Sequence, residues 1–352
     1  MWTAVVAGAG PAGAVAAIVL ARSGHRPLLV DRSADGPAKI GEALPEAGGR
    51  LLRSLGLAVL DAEGAHAPIG GTLTCWGSDE LVALDSFRHP AGQGWRLDRT
   101  RFDADLRAAA VSAGAIWRED RVREMRREGG GWEVELESGA VERAPWIVDA
   151  TGRSALLARR LAVPRLRDPA LVAFYARGQP NPDLQLNRTV VEAVEQGWWY
   201  AARLPSGVPI AGFHTDAARA AELRADPEGW AQELSRTRHV ARLLAGSQFD
   251  EPPRAVDARG ARLERFSGEG WIACGDAAIC FDPISGQGIF SALHGGLAAG
   301  TAIAAALEGR MDKLEAYSAS MAEVGDIYRA RWRSLYRSER RWPAARFWTM
   351  AE

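Results

Sequence analysis

The residues best suited to chemistry come at the start of the chain. Gly8-Ala-Gly10-Pro-Ala-Gly13 is followed, eighteen residues after its last glycine, by Asp31. Glycines at that spacing allow a tight turn, let backbone approach a pyrophosphate and let a helix lie close to a sheet. The N-terminus of that helix then faces the phosphates, and an acid closing the next strand can accept hydrogen bonds from ribose hydroxyls. The chemistry is therefore dinucleotide binding.

Such a turn needs a strand before it and a strand after it. Thr3-Ala-Val-Val-Ala7 is an apolar run bounded by glycine, and the pattern resumes at Pro27-Leu-Leu-Val30 after Ser23-Gly24. Two further runs suit the same sheet: Trp146-Ile-Val-Asp149, ending in Ala-Thr-Gly152-Arg153-Ser154, and Trp271-Ile-Ala-Cys274, ending in Gly275-Asp276. Between Ala170 and about Thr215 the pattern changes to consecutive short strands (170–176, 188–194, 197–204 and 209–213), which implies an antiparallel sheet inserted into the first.

Helical spacing is read after Asp98-Arg99, with Phe102 and Leu106 on one face, over 217–245, over 289–307 and over 313–348 with a break at Trp342-Pro343. Residues 70–83 read as a strand or hairpin with Gly77-Ser78-Asp79 as the turn, and 121–141 as a hairpin around Gly129-Gly-Gly131. A return strand is expected over 255–265. Turn-rich loops are read over 32–41 and 89–94.

Composition excludes several classes. The 352 residues carry 43 basic and 44 acidic side chains, so bulk charge gives no case for nucleic acid or an anionic membrane surface. Lys39 and Lys313 are the two lysines, which limits any mechanism that needs one. Cys75, Cys274 and Cys280 lack metal-ligand spacing, so no metal site is expected. Free cysteines suit a reducing compartment, no uninterrupted apolar run spans a bilayer, and the N-terminal run lacks a basic n-region. A cytoplasmic protein is expected.

Four separated motifs resemble the FAD-dependent monooxygenase superfamily with the hydroxybenzoate-hydroxylase-type fold. They are the glycine turn, Asp98-Arg99 with Phe102-Asp103 and Leu106, Asp149-Ala-Thr-Gly-Arg-Ser154, and Gly275-Asp276 through Gly288. Gly41-Glu-Ala-Leu-Pro45 and Asp282-Pro-Ile-Ser-Gly-Gln-Gly288 look like the tryptophan-halogenase and geranylgeranyl-reductase branches. Ile279 stands where phenol hydroxylases carry histidine. The ending Tyr336 to Trp342 with Phe347-Trp348 is similar to maturases that oxidise peptidyl tryptophan.

The resemblance implies an α/β fold: a Rossmann-type FAD-binding domain (1–70, 97–165 and 262–310), an inserted antiparallel-sheet substrate domain (71–96 and 166–261) and C-terminal helices (311–352). It implies FAD contacts at Gly8, Gly10, Pro11, Ala12, Gly13, Asp31, Arg32, Glu42, Ala43, Arg99, Asp276, Pro283, Gly286, Gln287, Gly288 and Ile289. In that scheme Arg99 neutralises phosphate, Asp276 holds the ribityl hydroxyls, and residues 283–288 approach the isoalloxazine. Gly41–Pro45 would form a strap over the flavin, with Glu42 as an active-site carboxylate or an exposed loop acid.

Trp198, Trp199 and Tyr200 lie on one inserted strand, so Trp199 faces opposite to its neighbours. One side of the strand forms either an aromatic substrate wall or plain core, and Trp199 is the second catalytic candidate. His214 and His294 read as structural, and Cys280 is a poor candidate for a covalent flavin link.

The implied activity is hydroxylation of an aromatic substrate, an indole or a peptidyl tryptophan, through a flavin C4a-hydroperoxide. Reducing equivalents would come from NAD(P)H directly or from a separate flavin reductase, since no second glycine fingerprint is present. Alternatives are reduction of an apolar substrate, as in the geranylgeranyl-reductase branch, and a non-catalytic flavin-binding subunit. Halogenation is disfavoured. No lysine lies between Lys39 and Lys313, and Gly197-Trp-Trp-Tyr-Ala-Ala-Arg-Leu-Pro205 departs from the halogenase Trp-x-Trp-x-Ile-Pro pattern.

Overall fold

Four of the apolar runs lie side by side. In the computed structural model, which describes residues 1–32, 40–62, 64–85, 93–226 and 228–350, Ala4–Ala7 pairs in parallel with Pro27–Asp31 on one side and Trp146–Asp149 on the other. Trp146–Asp149 pairs in turn with Trp271–Ala273. Val5, Val6, Leu28, Leu29 and Val148 are fully buried, as strands covered on both faces must be.

The sheet is completed to six strands by Ser267–Gly268 at one edge and Ile116–Glu119 at the other. Ile116-Trp-Arg-Glu119 escapes the sequence pattern because an edge strand is half solvated and needs no apolar run. Lys39, most of the 32–41 loop and most of the 89–94 turn lie outside the described residues.

The first helix, Pro11–Arg22, packs against Gly288–Leu307 at small residues. A Cβ on Gly296 would run into the Ala12 carbonyl, and one on Gly300 would meet Val19 Cβ at 2.8 Å and Ala16 O at 2.9 Å. Gly288–Leu307 is long and apolar enough by composition to cross a bilayer, yet 61% of its apolar window is buried within the protein. Packing against the first helix accounts for its character.

The inserted sheet has seven strands, led from one edge by Arg254–Asp257, Val172–Arg177, Pro209–Thr215, Gly197–Arg203 and Thr189–Val194, then Gly71–Cys75 and Val82–Asp85. Every pairing is antiparallel except that of Thr189–Val194 with Gly71–Cys75. One face buries Val190, Trp199, Ala201 and Phe213 under Ala217–Ala225, Gly229–Ser235 and Val240–Leu243. The other buries Ala173, Ala193 and Trp198 against Trp332, Tyr336, Phe347 and Trp348 of the C-terminal segment.

Two expectations shift. The 255–265 strand is two strands in two sheets, because the chain turns at Gly260, where a Cβ would crowd Tyr328 Oη at 2.6 Å. The long helix Asp312–Ser338 ends before Trp342-Pro343. It stops where the Glu339 carboxylate turns back to accept the Gly77 amide at 2.8 Å and the Arg341 guanidinium at 2.6 Å.

Candidate active site and cofactor cradle

The glycine turn sorts its glycines by job. Gly8 has φ +104°, and a Cβ there would strike the Ala150 carbonyl; a Cβ on Gly13 would strike the Gly8 carbonyl. Those two close the turn and seat the helix. Gly10 has nothing within 4 Å of where a Cβ would stand, so packing does not require it. That opening beside the first helix, whose N-cap carries no side-chain hydrogen bond, leaves free backbone amides that could hold phosphate oxygens. Asp31 accepts the Ala9 amide at 2.8 Å and the Arg32 amide at 2.7 Å, which fixes its carboxylate at the strand end. Arg32 itself is exposed.

The far motif closes on the same helix. A Cβ on Gly275 (φ +59°) would press on Ala12 Cβ at 2.7 Å, so the turn carrying Asp276 lies directly against the glycine turn. Burial raises the Asp276 carboxyl, and Arg153, Arg165 and Arg99 pull it back. In the loop that follows, Pro283–Ser285 form one short turn, Gly286 takes φ +60°, and neither Gly286 nor Gly288 has a neighbour within 4 Å of where a Cβ would stand. Gln287 and Ile289 flank that open backbone at the start of the Gly288–Leu307 helix. Open glycines in two motifs far apart in sequence fit a long dinucleotide cofactor.

Cys280 donates to the Asp276 carbonyl at 3.0 Å, and burial pushes its thiol up to about 12. It stays a protonated thiol, the wrong form for a nucleophile.

Arg99 makes the contacts of a strap anchor. Its guanidinium donates to Ile40 O at 3.1 Å and Gly41 O at 2.8 Å, and pairs with Asp103 at 3.2 Å. Ala43–Leu44 meanwhile pairs antiparallel with Gly94–Leu97, and the Leu97 amide donates to Glu42 O at 2.7 Å. The strap is thereby sewn down on both sides of Glu42.

Glu42 is 3% exposed, so of the two readings the sequence left open it is not an exposed loop acid. Its carboxylate meets Arg177, from the inserted sheet, at 3.5 Å. Burial raises its carboxyl, and Arg96, Arg177 and Arg99 oppose the rise in that order. Arg96, itself 3% exposed, spans the two sheets: it donates to Tyr200 Oη at 2.6 Å and Thr189 Oγ1 at 2.7 Å. Burial pushes the Tyr200 hydroxyl up to about 12, so it remains a hydrogen-bonding phenol. Arg96 and Arg177 escape a motif search because one sits in a loop-bounded strand and the other at a strand end. The available signal was an arginine within one largely apolar run and closing the other.

The alternation at 198–200 divides as expected, and it separates the two catalytic candidates. Tyr200 faces Arg96 and the strap. Trp199 is fully buried on the other face, stacked 5.0 Å from Phe213, with the Trp230 ring tilted against it at 5.4 Å. The structure therefore does not bring Trp199 to Glu42. Trp198 stacks on His214 with ring centroids 3.6 Å apart, and burial pushes that imidazole down to about 3, which keeps it neutral.

Asp282 opens a motif legible in the sequence, but the role of its carboxylate is visible only in the fold. One oxygen caps the Ile284 amide at 2.9 Å; the other accepts Trp332 Nε1 at 2.9 Å and Tyr336 Oη at 2.7 Å. Tyr336 Oη in turn accepts Trp198 Nε1 at 3.0 Å. The C-terminal helix thus ties the 282–288 loop to the inserted sheet.

Residues 1–328 match the family described as FAD binding domain. The chain is 31% identical, over 99% of its length and 96% of the relative's, to LodB of Marinomonas mediterranea, named as an FAD-dependent oxidoreductase. A structure of the halogenase CmlS superposes with TM-score 0.89 over 100% of this chain and 67% of that one, at 22% identity, a likeness of fold alone. The peptidyl tryptophan dihydroxylase QhpG, essential for tryptophylquinone cofactor biogenesis, superposes with TM-score 0.77 at 28% identity over 99% of this chain and 78% of that one.

Proposed function

The chain belongs to the FAD binding domain family and is an FAD-dependent oxidoreductase, and from that premise we propose that it is a monooxygenase hydroxylating an aromatic substrate, an indole or a tryptophan carried in a peptide. The observation that carries this reading is the buried Glu42 carboxylate, held under the strap between Arg96 and Arg177 and facing the inserted sheet. Likeness to a peptidyl tryptophan dihydroxylase supports the substrate class. Lys313 lies at the exposed start of the C-terminal helix, paired with Asp312 at 3.3 Å, which suits no role in halide chemistry.

In this reading Gly8, Gly10, Pro11, Ala12 and Gly13 hold the pyrophosphate, Asp31 and Arg32 the ribose end, and Asp276 with Pro283, Gly286, Gln287, Gly288 and Ile289 the flavin end. Ala43 lines the strap, and Arg99 acts by fixing the strap as well as by its charge. FAD when bound supplies the activation of oxygen. The protein's share is to position the aromatic ring, exclude water and accept a proton. Glu42, its basicity raised by burial, accepts the substrate's N–H or O–H proton, and Arg96 and Arg177 steady the carboxylate. Trp199 contributes packing to the sheet.

The proposed division of labour is 1–70, 97–165 and 262–310 for FAD, 71–96 and 166–261 for substrate, and 311–352 as the helical clasp. Cys75, Cys274 and Cys280 are free and buried, which suits a cytoplasmic enzyme. Reducing equivalents come from NAD(P)H or a separate reductase, and anaerobic mixing with each nicotinamide separates these by bleaching of the flavin. The activity is tested by supplying reduced flavin and oxygen with an indole, a phenol or a polyprenyl lipid. Oxygenated indole is expected; a saturated polyprenyl chain and an untouched indole would overturn the reading.

A further inference from the structure

We propose that the outer face of the C-terminal helix, together with the free edge of the inserted sheet, is a docking surface for an extended acidic segment of a polypeptide. The chain as a whole is nearly neutral, but residues 327–350 carry seven arginines and one acid, Glu339. That acid is buried and already accepts Gly77 and Arg341. Arg331, Arg333 and Arg340 are exposed, and among the described residues none of them forms an ion pair. Arg333, Arg337 and Arg340 line one shallow groove with Ala330, Ser334 and Ser338. Like charges so placed repel one another and raise the energy of the free surface; an acidic partner relieves that repulsion.

A second observation fixes the form of the partner. Val82–Asp85 is the last strand of the seven-stranded sheet, and no described residue pairs with its outer side. Val82 and Leu84 share a face and are 48% and 58% exposed. An open edge with apolar side chains is a template for an added strand. The hairpin carrying it is pinned to the arginine-rich C-terminal segment: Trp76 Nε1 donates to Leu335 O of the helix at 3.0 Å, and Arg341, just past the helix end, meets Asp79 at 2.8 Å. One extended segment alternating acidic and apolar residues would pair with the edge strand and lay its carboxylates toward the arginines. The near-zero net charge of the chain and the backbone donors of the edge favour a peptide over nucleic acid or lipid. The inference rests on the reading above in one respect, that the reacting tryptophan is carried in a polypeptide.

The test uses the full-length FAD-loaded protein and a fluorescein-labelled twelve-residue peptide of alternating glutamate and valine, followed by anisotropy and by hydrogen exchange. Binding that weakens with salt is expected, with slowed exchange at Val82–Asp85 and a loss of about tenfold or more in Arg331→Glu/Arg333→Glu/Arg340→Glu. The milder triple change to glutamine is expected to lose less, and both variants keep FAD, because the three side chains are exposed. Equal binding by wild type and both variants, no binding at low salt, or preference for phosphatidylserine vesicles or oligo-dT would overturn the proposal. Binding is read without turnover, so failure to hydroxylate any indole leaves this test intact, and oxygenation of free tryptophan without peptide binding would reject docking alone.

Discussion

Tyr336 donates its hydroxyl to the Asp282 carboxylate at 2.7 Å, joining the C-terminal helix to the 282–288 loop. The same hydroxyl accepts from Trp198 of the inserted sheet. Three parts of the fold meet at one oxygen, all of it buried.

Removing that oxygen is therefore costly. Tyr336→Phe leaves Trp198 Nε1 without its acceptor and Asp282 without one donor, and a loss of about 1–3 kcal/mol is expected for buried groups stranded in this way. Urea denaturation of the FAD-loaded protein measures it. Unchanged stability would show that the clasp carries no load.

Asp282 gives the stability a pH dependence of known sign. Burial pushes its carboxyl up from 3.8 to about 6. The folded state holds this proton more tightly than the unfolded chain, so the group's contribution is present below the unfolded value and is lost as pH rises toward 6. The stability of wild type relative to Asp282→Asn should fall by on the order of 1–3 kcal/mol between pH 4 and 7. A difference that stays flat, or that grows with pH, would contradict the assignment.

The glycines of the first turn should separate folding from cofactor binding. Gly13→Ala drives a methyl into the Gly8 carbonyl and should damage the fold itself. Gly10→Val meets open space, so the apo protein should melt near the wild-type temperature while FAD affinity falls about tenfold or more. Melting curves of the apo proteins and quenching of FAD fluorescence report the two effects. Equal FAD affinity in Gly10→Val would remove the phosphates from that opening.

Glu42→Gln keeps the shape under the strap and removes the base. FAD binding should persist while the chemical step slows about 100-fold, in the range general bases contribute. The acidic limb of the rate–pH profile should vanish with it, since a carboxyl raised by burial must be ionised to accept a proton. An unchanged single-turnover rate would reduce Glu42 to a strap residue.

The parts of this molecule that obey local rules were legible in its sequence. The Gly8–Gly13 turn with its flanking apolar runs, the strands of the inserted sheet and the alternation through Trp198, Trp199 and Tyr200 all follow from period and turn chemistry. What escaped depends on partners distant in sequence. Arg96 matters because it crosses to Thr189 and Tyr200, and Asp282 because helix residues fifty or so positions later, Trp332 and Tyr336, turn toward it. Alternation sets Trp199 opposite to Trp198 and Tyr200 but does not say which face is core; the helices over the Trp199 face make it core. Ile116–Glu119 was hidden for the opposite reason, because an edge strand carries little apolar signature.

The central claim, that this flavoprotein places oxygen on an aromatic ring, is tested most directly by turnover under oxygen-18 gas. A tryptophan-containing peptide, reduced flavin and bromide are supplied together, and the peptide is read by mass spectrometry. Incorporation of oxygen-18 from the gas into the indole, lost in Glu42→Gln, is the expected result. Brominated peptide, or oxygen drawn only from water, would contradict the account.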